Sequence, residues 1–428
     1  MRHLPIKNKL FKDNRRRLTE LLEPQSLAVV NANDVLPTNA DGSFIIHPNA
    51  DLFYLTGIEQ EESILVLFPD APDPKHREIL FLREPSEHLR IWEGFKHSKE
   101  DAKKISGVDS VHWISEFPVL FKILMFEAKK AYLNNNEHNR ASDEVETRDQ
   151  RFISQVQRDF PLHGIDRLAP LLHELRFVKD PLEIKMIKEA VEVTNRGFRK
   201  VLRMIKPGVK EFEIEGEYSR EFVRRRCKFA YSPIIASGAN ACTLHYLQND
   251  QECKKGEMLL MDVGACYGNY NADLTRTVPV SGKFNRRQKQ VYKAVLRVLR
   301  QCIENATVGK AHKDWQNDSH EMMTEELLRL KLITQAEVKK QDPATPACRK
   351  YFMHGLGHPM GLDVHDVNSG QHFFKENAVY TVEPGIYIPE EGLGVRLEDD
   401  IVITADGPVN LMAKTPIEPD EIEQIMNR

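Results

Sequence analysis

The chain has 428 residues, of which 41% are hydrophobic and 29% are charged, and its formal net charge is −4. This length predicts two or three domains, and the composition excludes a collagenous, low-complexity or wholly disordered chain. The charge balance argues against a general nucleic-acid binder, because that class carries a basic field. No apolar run approaches the ~18 residues that a membrane span needs, so we expect no membrane partner.

The first third of the chain predicts a mixed α/β domain. A helix is expected over residues 8–22, and short buried strands are expected over 27–30, 64–68 and 79–82, because these runs are aliphatic and end at Pro, Asp or Glu. Residues 1–20 lack the apolar core of a secretory signal. Prolines and a glycine within 160–170 indicate a junction, and we place the two domains at 1–168 and 169–428.

A long helix is predicted after the junction. Asp180 can cap it and Pro181 suits its first turn. Its inward positions follow steps of three and four residues: Ile184, Ile187, Val191, Thr194, Phe198, Val201 and Ile205. Further helices are expected over 210–227, 286–305 and 314–331, with strands over 232–237, 258–263, 271–278, 378–383 and 395–404. This order predicts an α+β domain, a sheet with helices on one face.

The six cysteines contain no C-x-x-C pair. In a chain of this length they are typical of buried free thiols in a reducing compartment, which favours a cytoplasmic location.

Carboxylates interrupt four of the predicted strands. Asp262 breaks the apolar run 258–263, Glu383 ends the run 378–383, Asp273 lies in 271–278, and acids occupy 398–400 in the middle of 395–404. A buried carboxylate is costly unless it is paired or metal-bound. Because four strands each supply one, the pattern predicts a shared cation.

Three histidines lie close together in the segment 353–366: His354, His358 and His365. Glycines and Pro359 argue against a helix there, and the Glu of H-E-x-x-H is missing, so we predict a loop or strand that brings imidazoles near the acids. This oxygen-rich set favours Mn²⁺ or a similar ion over structural zinc. Four carboxylates exceed the charge of one divalent ion, so two metals that share bridging acids and serve a hydrolytic reaction are favoured.

These residues resemble the "pita-bread" metallopeptidases of the aminopeptidase P and prolidase branch. The match to that family's metal ligands is complete and in order: Asp262, Asp273, His358, Glu383 and Glu398. The resemblance implies two divalent ions, most readily Mn²⁺, with Asp262 on one ion and His358 on the other. Asp273 and Glu398 are expected to bridge the ions, and Glu383 to bind metal and act as general base.

The same resemblance covers the residues that line the family's substrate site: His245, His354, His365 and Arg396. It implies that the three histidines orient the substrate carbonyl and the developing oxyanion. The alternative is that one or two of them only hydrogen-bond the metal ligands.

The N-terminal part extends the likeness. Residues 49–57 resemble the aminopeptidase P N-terminal domain, and Trp92 lies in a loop, 91–94, whose tryptophan in that family reaches a neighbouring subunit's site. The resemblance therefore implies a small mixed α/β domain followed by a pita-bread domain, in a homodimer or homotetramer.

The implied activity is that of a Xaa-Pro aminopeptidase, which acts on peptides with proline in second position. One alternative is a prolidase, confined to Xaa-Pro dipeptides. Another is a non-catalytic binding protein on the same scaffold, which the intact ligand set disfavours.

Overall fold

A computed structural model of the chain describes residues 3–44, 47–142, 144–368 and 370–428. The chain divides into two compact units, one of His3–Arg176 with Val367–Gly370 and the other of Phe177–Asp366 with Gln371–Arg428. Within the described ranges, no helix is both long enough and apolar enough to cross a bilayer.

The first unit is built on a mixed sheet in the order β4-β3-β2-β1-β5-β6. Its strands are β1 Ser26–Asn31, β2 Ile64–Leu67, β3 Glu78–Leu82, β4 Ser110–Trp113, β5 Lys130–Leu133 and β6 Gly164–Arg167. Its helices are α1 Lys9–Thr19, α2 Ala50–Thr56, α3 Glu87–Trp92, α4 Lys99–Ser106, α5 Phe117–Glu127, α6 Arg148–Asp159 and α7 Ala169–Phe177, whose last residue belongs to the second unit.

The predicted strands of this unit are confirmed as β1, β2 and β3. They are adjacent and antiparallel, and their aliphatic side chains form a buried core with α5. Helix α2 is capped by Asn49, whose side chain accepts the Leu52 N–H, and by Gly57, whose φ of 69° favours glycine and where a Cβ would lie 2.4 Å from the Phe11 ring.

The second unit surrounds several short sheets with helices. Its helices are α8 Pro181–Val201, α9 Glu211–Arg224, α10 Arg286–Glu304, α11 His312–Arg329, α12 Gln335–Lys339 and α13 Pro419–Met426. Its strands are β7 Lys228–Phe229, β8 Ile234–Ser237, β9 Met258–Asp262, β10 Ala265–Tyr267, β11 Tyr270–Asn271, β12 Thr275–Pro279, β13 Val379–Val382, β14 Gly385–Ile388, β15 Leu393–Arg396, β16 Asp399–Thr404 and β17 Gly407–Asn410. They pair as β12-β9-β8, β13-β16-β17, β14-β15 and β11-β10-β7.

Helix α8 begins as its sequence predicts. The Asp180 carboxylate accepts the Leu182 N–H, the Glu183 carboxylate accepts the Asp180 N–H, and Pro181 occupies the first turn. The predicted inward face is buried except at Ile184, which is half-buried. The helix ends at Val201, so Ile205 is buried in the turn that follows rather than in the helix.

Two predicted strands are wrong in one respect, because each breaks at its acid. The run 271–278 divides into β11 and β12 around Asp273, and 395–404 divides into β15 and β16 before Asp399. Each run changes its sheet partner at the break: β11 pairs with β10 but β12 with β9, and β15 pairs with β14 but β16 with β13. The Asp273 N–H donates to the Asp400 carboxylate instead of to a neighbouring strand.

A buried arginine joins the two broken runs. The Arg276 guanidinium lies 2.6 Å from the Asp399 carboxylate, and both side chains are at most 5% exposed. Arg276 also donates to the backbone carbonyls of Glu398 and Pro416. Arg276 therefore holds β12 against β16.

Replacing Arg276 with alanine should lower the free energy of unfolding by about 3–5 kcal/mol, because it leaves Asp399 buried without its cation. Denaturant titration followed by circular dichroism measures the change. The matched control is Arg287→Ala, which removes a partly exposed pair with Glu391 and should cost less than about 1 kcal/mol. Equal losses of unfolding free energy in the two variants would contradict the conclusion that Arg276 holds β12 against β16.

Candidate metal centre

Three predicted ligands from separate segments meet in the second unit. One donor atom from each of Asp273, His358 and Glu398 lies within 4.8 Å of the others, and all three side chains are buried. Asp273 lies in the break between β11 and β12, and Glu398 in the break between β15 and β16. Both of these carboxylates therefore lie at strand breaks, where the chain changes its sheet partner.

His358 is fixed by its own backbone. Its N–H donates to the Thr381 hydroxyl and its carbonyl accepts the Thr381 N–H, beside β13. The preceding Gly357 lies so close that an added Cβ would be 2.0 Å from the Thr381 carbonyl oxygen. The His358 Nδ1 faces the Pro359 carbonyl oxygen at 3.0 Å, so Nδ1 carries the proton in the neutral ring.

The other nitrogen of His358 faces the acids. Nε2 lies 3.6 Å from Asp273 Oδ2 and 3.7 Å from Glu383 Oε1. Both separations exceed a hydrogen bond, and an imidazole lone pair among carboxylate oxygens is a ligand set for a divalent cation. The residues present therefore fit the predicted metal.

The electrostatics of the cluster point the same way. Burial, followed by repulsion from Asp262, raises the pKa of Asp273 well above its ordinary value. Burial, followed by repulsion from Asp273, does the same to the pKa of Glu398. Carboxylates that repel one another in a buried site lack compensating positive charge, which a bound cation would supply.

Asp262, at the end of β9, joins this cluster through a tyrosine. The Tyr231 hydroxyl lies 2.5 Å from Asp262 Oδ1 and also hydrogen-bonds Asp273 Oδ1. On its other side, Arg396 Nη2 donates to Asp262 Oδ2 at 2.5 Å. Asp262 is therefore aligned from both sides.

Glu383 follows β13 at the edge of the cluster. Its N–H donates to the Leu356 carbonyl, and its carboxylate lies between two histidines, with Oε2 3.8 Å from His354 Nδ1 and Oε1 near His358. With 20% of its side chain exposed, Glu383 is the most open of the predicted ligands.

A hydrogen-bonded chain leads from Asp262 to His354. Arg396 Nη1 donates to the Tyr387 oxygen at 3.0 Å, and that hydroxyl lies 2.7 Å from His354 Nε2. His354 Nδ1 faces the Gly355 carbonyl oxygen, which can only accept, so Nδ1 is the donor and Nε2 accepts the Tyr387 proton. Burial and the charge of Arg396 lower the pKa of His354 to about 3, so this ring is neutral at physiological pH.

The remaining predicted site residues are more exposed. His365 has its ring centroid 4.2 Å from that of His358, and both His365 and His245 are exposed. Trp92 lies at the end of α3 in the first unit, with 71% of its surface exposed.

Sequence reasoning missed three side chains of this centre. Tyr231 precedes β8 without any distinguishing pattern, and Tyr387 lies in the apolar strand β14, where a tyrosine is ordinary. Asp400 is one of three consecutive acids, and the structure distinguishes it by its full burial and by the hydrogen bond that it accepts from the Asp273 backbone.

Comparison with known proteins shows the family to which the chain belongs. The model of metallopeptidase family M24 matches residues 185–405, and the model of the aminopeptidase P N-terminal domain matches residues 11–132. The chain is 33% identical to the Xaa-Pro aminopeptidase of Escherichia coli K12, over 98% of both chains. It is 31% identical to the Xaa-Pro aminopeptidase of Haemophilus influenzae, over 97% of both.

Solved structures give the same result. Zinc-substituted E. coli aminopeptidase P in complex with product matches with a TM-score of 0.87 and 31% identity, over 99% of both chains. The expected α+β fold, an aminopeptidase P-type N-terminal domain followed by a pita-bread domain, is thereby confirmed. Since the likeness runs through both units and includes the segment that carries every predicted metal ligand, the chain belongs to metallopeptidase family M24.

Proposed function

We propose that this chain is a Xaa-Pro aminopeptidase, which hydrolyses the bond between the first residue of a peptide and a proline in second position. The observation that carries the proposal is the convergence of His358 with the four carboxylates in one site of the second unit. Full-length likeness to the Xaa-Pro aminopeptidases of E. coli and H. influenzae supports this substrate class.

We assign five ligands to two divalent ions: Asp262, Asp273, His358, Glu383 and Glu398. Asp273 and Glu398, which repel each other, would be shared by the two ions. Asp262 would bind one ion and His358 the other. Manganese is the proposed metal, because four carboxylates and one imidazole form a hard, oxygen-rich set.

Bound ions of this kind would acidify a water molecule and polarise the scissile carbonyl. Glu383 is the proposed base, because its carboxylate is the most open of the set and adjoins both His354 and His358. Glu383 would take a proton from the water as the water oxygen bonds to the carbonyl carbon, and this proton would pass to the proline nitrogen as the C–N bond breaks.

The proposed substrate contacts are His245, His354, His365, Arg396 and Trp92. His245 and His365 are exposed, so a peptide can reach both side chains. The hydrogen bonds of His354 go to the Tyr387 hydroxyl and to the Gly355 carbonyl, neither of which is a proposed metal ligand, so they do not support the alternative role. Arg396 also holds Tyr387 and Asp262 in place.

The protein is also proposed to be cytoplasmic. Its six cysteines are free and five of them are buried, which supports a reducing compartment.

Manganese-reconstituted protein should release the first residue of a tripeptide with proline second, and mass spectrometry of the products measures this. An Xaa-Ala-Xaa tripeptide is the control and should be cleaved poorly. Activity confined to Xaa-Pro dipeptides would establish a prolidase instead. Failure to retain any divalent ion would favour a binding protein on this scaffold.

Glu383→Gln should lower kcat by at least ~10²-fold, because it removes the base and keeps the side-chain volume. Turnover and metal content per chain are measured together. Glu390→Gln, an exposed carboxylate in the same unit, is the control and should leave both values unchanged. Turnover within a few-fold of the unmodified enzyme, with metal bound, would remove Glu383 from the mechanism.

Trp92→Ala tests the proposed assembly, a homodimer or homotetramer in which Trp92 walls a neighbouring subunit's peptide site. An exposed tryptophan is typical of interfaces, and its loss should raise KM about tenfold without altering metal content. Leu162→Ala, at 97% exposure in the same unit, is the control. A fully active monomer in sedimentation analysis, or an unchanged KM, would contradict this role.

A further inference from the structure

A buried carboxylate outside the metal centre holds the loop that carries His245. We define the His245 loop as residues 243–251, between the turn after β8 and the approach to β9. Glu211, the first residue of α9, is fully buried and touches this loop. The mechanism above makes no use of Glu211.

Glu211 accepts four hydrogen bonds, all from uncharged donors. Its Oε1 accepts the N–H and the hydroxyl of Ser237, at 2.8 and 2.7 Å. Its Oε2 accepts the Tyr246 hydroxyl at 2.8 Å and the Gln251 N–H at 2.9 Å. Multiple donors of this kind, together with the start of a helix, compensate the burial of a carboxylate.

The two oxygens of Glu211 serve different parts of the fold. Oε1 is directed to Ser237, at the end of β8. Oε2 is directed to the His245 loop, which it holds at Tyr246 and at its last residue, Gln251. A single carboxylate therefore sets the distance between the strand and the loop.

Tyr246 connects the Glu211 carboxylate to residues beside the proposed metal site. Its ring is buried in an apolar cluster with Ile234, Leu260 and Tyr387, while His245 beside it in sequence is exposed. Tyr387 in turn hydrogen-bonds His354. The orientation of Tyr246 thus fixes the direction in which the chain presents His245.

A second anchor acts on the far side of the loop. Asn249, which adopts a φ of 47°, accepts the Ile235 N–H and donates to Glu215 and to the Pro233 carbonyl. Both anchors lie C-terminal to His245, and Tyr246 adjoins it in sequence; on its other side Leu244 packs against the same apolar cluster as the Tyr246 ring.

We infer that Glu211 is a positioning residue for the peptidase reaction, which acts through the Tyr246 hydroxyl to hold His245 toward the substrate. This inference rests on the proposed function, because His245 is assigned there to the peptide. The Glu211 carboxylate contacts Ser237, Tyr246 and Gln251, none of which is a proposed metal ligand or substrate contact.

The test compares two variants that each remove one hydroxyl from Glu211. Tyr246→Phe releases the loop and keeps the ring, whereas Ser237→Ala removes the equivalent bond on the strand side. Glu211→Gln is less suitable, because it disturbs four buried donors together and can unfold the unit. We expect Tyr246→Phe to lower kcat about tenfold per metal-loaded site, and Ser237→Ala to change it less than about twofold, with similar losses of Tm in both.

The inference further requires that the effect pass through His245. In a His245→Ala background, Tyr246→Phe should therefore cause no additional loss of kcat. A tenfold loss that persists without His245, or equal losses in Tyr246→Phe and Ser237→Ala, would reduce Glu211 to a structural residue and overturn the inference.

A spectroscopic measurement separates this inference from the proposed function. In histidine-labelled protein, the His245 ring signals, assigned by their disappearance in His245→Ala, should shift or broaden in Tyr246→Phe and stay unchanged in Ser237→Ala. This outcome is expected even if Xaa-Pro peptides prove not to be substrates, a result that would reject the function alone. Unchanged His245 signals in Tyr246→Phe would overturn the positioning role whatever the substrate.

Discussion

The concentration of negative charge in the interior of the second unit is the constraint on which the rest of that unit depends. Asp273 and Glu398 are buried close together, and the pKa of each is raised, first by burial and then by a neighbouring carboxylate: Asp262 for Asp273, and Asp273 for Glu398. Such a cluster is stable only with cations beside it. The chain supplies Arg396 beside Asp262 and Arg276 beside Asp399, and the centre of the cluster is the site proposed for the divalent ions.

This constraint explains why the strands are short and the sheets are divided. An unbroken ladder commits the backbone to a neighbouring strand and leaves alternate side chains on a flat face. At Asp273 and Glu398 the chain instead changes partner, and the local backbone bonds to Asp400 and to Thr275. The second unit is thus divided into small sheets because the chain brings the proposed ligands from separate strands to one point.

The sequence predicted the elements that follow from hydrophobic periodicity and the site residues that follow from their chemical type. The cap and face of α8, the strands β1 to β3 and the acids that needed a partner all follow from local pattern and burial cost. The breaks at Asp273 and Glu398 did not follow, because alternation continues through them and only long-range pairing interrupts it. The role of Tyr231 was not predicted for the same reason, since its hydroxyl bonds two carboxylates that lie 31 and 42 residues away in sequence.

The histidine segment shows how rigid and accessible groups share one stretch of chain. His358 is held by Thr381, and farther along the Asn271 amide donates to the carbonyls of Gly361 and Leu362. The segment is closed by a buried ion pair between Lys179 and Asp366. Between these fixed points the chain presents His365 at the surface with its ring against that of His358. The Lys179–Asp366 ion pair and the hydrogen bonds of the Asn271 amide restrict orientation more than they add stability. Their effect is to keep the exposed His365 imidazole at a fixed distance from the buried His358 imidazole.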